Sequence, residues 1–102
     1  MEILWSDTAL VDLDSIYNFI AKRSEKYAIK EIEKIFDRTR QLVDFPLSCP
    51  QIIFRKKKIR PYRFIVLGNY KIIYSIRDEN ILIETVFDTR QNPRKLAKKL
   101  KP

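Results

Sequence analysis

Residues 63–88 read RFIVLGNYKIIYSIRDENILIETVFD, three runs of β-branched and aromatic residues parted by two turn signals. Arg63–Leu67, Tyr70–Arg77 and Ile81–Asp88 are expected to be strands. Gly68–Asn69 joins the first pair with two residues that tolerate positive φ, the demand of a tight hairpin. Asp78–Asn80 separates the second pair. The middle run is apolar on both faces, with Tyr70, Ile72, Tyr74 and Ile76 on one and Ile73 on the other, so it belongs at the centre of a sheet.

Upstream, the spacing changes from two to between three and four. Residues 1–5 suit a short first strand. Ser6 or Asp7 can cap a helix whose stripe is Ala9, Leu10, Leu13, Ile16, Tyr17 and Ile20, with Asp12, Asp14 and Asn18 facing away and Lys22 and Arg23 in its last turn. Ser24 can cap a second, bearing Ala28, Ile32, Ile35, Phe36, Thr39, Leu42 and Val43 on one face and ending near Asp44, ahead of Phe45-Pro46. The link between them is short, so an antiparallel hairpin is expected. Downstream, Pro46–Gln51 reads as a loop and Pro93 opens a short basic helix, Pro93–Leu100. The expectation is an α+β fold: an N-terminal strand, an antiparallel helical hairpin on a mainly antiparallel β-meander, and a C-terminal helix.

The length of 102 residues is one domain's worth, 1–102. With 45% hydrophobic and 33% charged residues the chain can bury a modest core. A single cysteine, Cys49, forms no intrachain disulfide; with no membrane-length apolar run and no basic leader, this points to the cytoplasm. The absence of histidine removes Ser-His-Asp and Cys-His chemistry, one cysteine makes no thiolate metal site, and one glycine forms no phosphate-cradling loop. Neither a metal nor a cofactor is implied.

Charge is segregated. Residues 1–44 carry a net −2 and residues 45–102 a net +10, with no carboxylate between Asp44 and Asp78 and none after Asp88. Such a distribution draws polyanions or acidic protein segments. It peaks at Arg55, Lys56, Lys57, Lys58, Ile59, Arg60, Pro61, Tyr62 and Arg63, six cations in nine residues with an aromatic ring on which a base can stack. A lysine-rich edge strand with a proline, guarding the sheet against pairing, explains the same residues. A second candidate is Arg90, where a guanidinium at the end of a rigid strand suits bidentate binding of phosphate or carboxylate; a structural contact with Asp88 is the alternative.

The order strand, two helices, meander, basic tail resembles the RelE/ParE toxin superfamily. Trp5, Ala9, Asp12-Leu13, Ile16, Tyr17 and Ile20 look like its first helix, and Leu42 with Phe45-Pro46 like the close of its second. Arg60 and Arg63 with Tyr70–Tyr74 look like its central hairpin, and Val86-Phe87 with Arg90 like its last strand. The resemblance implies the toxin of a bacterial type II toxin–antitoxin pair, of the kind used in plasmid stabilization, neutralised by a cognate antitoxin with an acidic amphipathic segment. RelE-like members cut mRNA on the ribosome; here Lys57, Arg60, Arg63 and Arg90 are the catalytic candidates, and Arg55, Lys56, Lys58 and Tyr62 join them as binding candidates. Many such members carry Tyr or His near the C-terminus, whereas residues 88–102 contain neither. A phenol with a pKa of about 10 is a poor base. That departure favours the ParE-like branch, which inhibits DNA gyrase; the alternatives are the mRNA endonuclease and a non-catalytic nucleic-acid-binding module.

Overall fold

The computed structural model describes residues 1–54 and 57–100, of which 54, 57–61 and 97 are described in their backbone alone. The elements run β1 (Ile3–Trp5), α1 (Asp7–Ala21), α2 (Glu25–Arg40) continued by a 3₁₀ turn (Gln41–Val43), β2 (Gln51–Phe54), β3 (Lys57–Leu67), β4 (Tyr70–Arg77), β5 (Asn80–Asp88) and α3 (Pro93–Lys99). The α+β architecture expected from the sequence is present. The five strands order as β1-β5-β4-β3-β2, antiparallel throughout except for β1, which runs parallel to β5. The doubly apolar strand β4 is central, and its Ile72, Ile73 and Tyr74 are fully buried.

Local chemistry explains the boundaries. Ser6 and Ser24 cap α1 and α2 by accepting hydrogen bonds from the backbone N–H of Ala9 and Tyr27. α1 ends at Ala21, so Lys22 and Arg23 fall just beyond it rather than in its last turn. Gly68 takes φ 59° while Asn69 is not in the left-handed region, the pattern of a turn with glycine at its first central position. The second turn is shorter than the sequence suggested. Arg77 pairs with Asn80, leaving Asp78 and Glu79 as a two-residue turn with φ 50° and 65°.

Two departures concern the sheet's edges. Residues 51–54 form a strand, β2, and β3 begins at Lys57 rather than near Arg63, so the outermost strand is β2 and the cationic run lies partly on the next one in. A short QIIF run behind a proline-rich loop has too little alternation to declare itself. At the other edge β1 is three residues long, and its ladder with β5 stops at Trp5–Ile83. There α1 takes over. Ser6 donates from its backbone N–H to the Ile83 carbonyl at 3.0 Å and from Oγ to the Glu84 carbonyl at 2.7 Å. Asp12 accepts from the Val86 N–H at 3.0 Å and from Thr85 Oγ1. Asp12 therefore points in, not away.

The helical hairpin covers one face of the sheet, burying Leu13, Ile35, Leu42, Ile65, Ile72 and Tyr74 among others. Leu10, assigned to the stripe, is instead 50% exposed on its flank. The opposite face is covered by α3, whose Leu96, together with Leu100 just past the helix end, packs with Tyr62 and Ile73. Lys99 reaches round the edge of β5 to Asp12 Oδ1 at 3.0 Å, tying α3 to α1.

Candidate functional site

At the end of β5, Asp88 pairs with Tyr70 of β4, and the next residue is stapled to the β3–β4 turn: Thr89 donates its N–H and its Oγ1 to the Asn69 carbonyl at 2.7 and 2.8 Å. Arg90 follows on this braced turn. Its backbone N–H and its Nε both donate to Asp88 Oδ1 at 2.9 Å, and its terminal nitrogen donates to Oδ2 at 2.7 Å. The pair is bidentate, the strong geometry for a guanidinium and a carboxylate. Hydrogen bonding to Arg90 holds the Asp88 carboxyl below its usual value against the opposing effect of burial. The Tyr70 phenol beside them is pushed up, first by burial and then by the Asp88 charge. It remains a proton donor near neutral pH, not a base.

Three adjoining depressions, of about 420, 410 and 510 Å³, meet around Arg90. Arg90 and Phe19 line all three; Tyr27 and Tyr70 each line two. Phe19 is 67% and Tyr27 54% exposed. The result is a concave surface from the turn of the helical hairpin to the end of β5, with aromatic walls and a guanidinium common to all three depressions. The sequence reading passed over Phe19 and Tyr27. Their signal is negative: each is a large apolar residue outside its helix's core stripe, and thus unused by the fold.

The other candidates do not gather here. Tyr62 is only 2% exposed and sits under Leu100 on the far face of the sheet, so its ring offers no stacking surface in this state. The expectation of an accessible aromatic inside the cationic run is corrected: alternation along β3 turns Tyr62 inward beneath α3. Arg63 lies on the hairpin side, where it donates to the carbonyl oxygens of Leu47 and Cys49 at 3.4 and 2.6 Å. Beside it the Tyr74 hydroxyl donates to the Pro46 carbonyl at 2.8 Å, and burial pushes that phenol's pKa up. Both side chains fasten the loop leading into β2. Arg63 pairs with Tyr74 in the middle of β4, and Asp88 with Tyr70 at its first residue. Arg55 and Lys56 lie outside the described residues, as do the side chains of Lys57, Lys58 and Arg60.

Among the described residues no group of acids and cysteine is placed to hold a metal ion, and no helix is long and apolar enough to cross a membrane. What the site presents is a paired guanidinium framed by aromatic rings. That is suited to seating a protein segment, with a carboxylate exchanging for Asp88 on Arg90.

Residues 3–93 match a family model described as the ParE toxin of the type II toxin–antitoxin system parDE. Among solved structures the fold is similar to the chromosomal ParDE system of P. aeruginosa, with a TM-score of 0.70 and 19% identity over 86% of this chain and 95% of that one. It is also similar to the RelB-RelE antitoxin–toxin complex of Methanococcus jannaschii, with a TM-score of 0.51 and 21% identity over 97% and 99%. No curated protein matches.

Proposed function

Because the chain belongs to the ParE toxin family of type II toxin–antitoxin systems, we propose that when free it acts in the cytoplasm by binding DNA gyrase, with no catalytic chemistry of its own. Its cognate antitoxin lays an acidic amphipathic segment into the Phe19–Arg90 groove, apolar residues against the aromatic walls and a carboxylate toward Arg90. The observation that carries this reading is the state of Arg90. A guanidinium already bonded through both donor arms to Asp88 is poorly placed to stabilise a phosphorane, yet well placed to trade one carboxylate for another at a protein interface. Tyr62 and Arg63, two of the groups that an mRNA-cutting site would recruit, are committed to the far-face core and to loop carbonyls.

Inducing the toxin in bacteria and assaying both targets tests the proposal. Stalled gyrase–DNA cleavage products and loss of supercoiling, with intact mRNA, are the expected result. New mRNA 5′ ends at codon positions, abolished in Arg90→Ala, would replace it with ribosome-dependent cleavage. Salt-sensitive binding to generic DNA without growth inhibition would reduce the chain to a nucleic-acid-binding module.

A further inference from the structure

On the face of the sheet opposite the groove, α3 does not close completely over β2, β3 and β4. A pocket of about 240 Å³ remains, walled by Ile52, Ile53, Phe64, Ile73 and Leu96, with Lys71 the one charged group among the described residues that line it. Lys71 is half-buried, its ammonium 4.9 Å from the centroid of the Phe64 ring. No carboxylate pairs with it among the described residues. The charge map explains why: every described residue lining the pocket comes from one of the two segments, 45–77 and 89–102, that contain no Asp or Glu. Nothing within either segment can neutralise this ammonium.

Two properties fix the occupant. The walls are apolar and Ile53 is left 66% exposed at their side, so the guest brings an apolar group. The Lys71 ammonium, with no carboxylate partner among the described residues and in a field of its own sign, asks for an anion. The volume falls below the roughly 300–1,000 Å³ of sites that enclose a free small molecule, and it suits one large side chain. We infer that this pocket is a docking site for an acidic peptide segment, in which one leucine or phenylalanine fills the space under Leu96 and a flanking Asp or Glu pairs with Lys71. It is separate from the Phe19–Arg90 groove and does not depend on gyrase being the target.

The probes are three capped tripeptides, acetyl-Glu-Leu-Glu-amide, acetyl-Gln-Leu-Gln-amide and acetyl-Lys-Leu-Lys-amide, titrated into the ¹⁵N-labelled full chain. The acidic peptide is expected to shift the amides of Phe64, Ile73 and Leu96, to weaken with added salt, and to bind about tenfold more tightly than the glutamine peptide. Lys71→Met should erase that preference with an otherwise unchanged spectrum, and Lys71→Arg should keep it. Equal binding of the three peptides, or shifts confined to Phe19 and Arg90, would overturn the inference. So would tighter binding by free octanoate, which would make the site one for a small amphiphile. None of these outcomes alters the gyrase assay, so the two readings fail separately.

Discussion

The carboxylate of Asp12 on α1 and the backbone N–H of Val86 on β5 meet at 3.0 Å across 74 positions of sequence. β1 is too short to cover this stretch of β5, and a bare edge N–H against the packed helix is costly unless it finds an acceptor. One side chain supplies it, and the same carboxylate receives Thr85 Oγ1 and the Lys99 ammonium. Asp12 is thus the joint at which helix, sheet edge and α3 are fixed to one another.

Replacing Asp12 with Ala is expected to destabilise the fold by about 2–3 kcal/mol, the cost of orphaning a partly buried donor and an ion pair. Asp12→Asn retains one acceptor and should cost about half as much. Urea unfolding of the purified chain measures both; an Asp12→Ala loss within experimental error of zero would mean that water takes the place of the carboxylate.

Arg63→Ala should behave as a folding defect. Its guanidinium bonds two loop carbonyls, so its removal is expected to cost about 1–2 kcal/mol. Any loss of toxicity should then follow the soluble yield and recover at lower growth temperature. A variant as stable as the parent yet non-toxic would return Arg63 to the list of residues that touch a target.

Glu79→Gly should stabilise the protein. Glu79 sits at φ 65° beside Asp78 at φ 50°, and a left-handed conformation costs a side-chain-bearing residue roughly 1–2 kcal/mol that glycine escapes. Part of this is offset by glycine's greater freedom in the unfolded chain, leaving an expected gain of about 0.5–1 kcal/mol in thermal or urea unfolding. No gain would mean that the Glu79 side chain makes a compensating contact in solution.

The fold was legible wherever burial has a period. The meander from Arg63 to Asp88 shows alternation and two turns, and the capping serines announce both helices. What escaped was edge chemistry. β2 was missed because four residues carry too few repeats, and Asp12 was misread because periodicity ranks a carboxylate by its polarity. The edge of β5 that it satisfies is a tertiary fact. The site was half legible. Arg90 and its Asp88 alternative were visible as neighbours in sequence, whereas Tyr62 looked exposed because its cover, Leu100, lies 38 positions away. Phe19 and Tyr27 lacked any pattern, since a binding surface is defined by what the core leaves over.

The Asp88–Arg90 pair yields a prediction in which stability and binding move in opposite directions. Its partner holds the Asp88 carboxyl below the usual value of 3.8 in the folded chain. A depressed folded value means that the pair's contribution is complete at pH above that usual value and disappears as pH falls through the folded one. The stability gap between the parent and Asp88→Asn should therefore stay constant from neutral pH down to about pH 5 and close below about pH 4. A gap that persists into strong acid would show that Asp88 matters through its shape and not its charge. For binding, Asp88→Asn releases Arg90 from its internal anion, so the groove should hold an acidic antitoxin segment more tightly and with a steeper salt dependence. Arg90→Ala should weaken the same segment by about tenfold. Isothermal titration of the two variants against the cognate antitoxin reads both effects. If Asp88→Asn weakens binding as Arg90→Ala does, the carboxylate is a contact of the partner in its own right, and exchange on Arg90 is not how the groove recognises it.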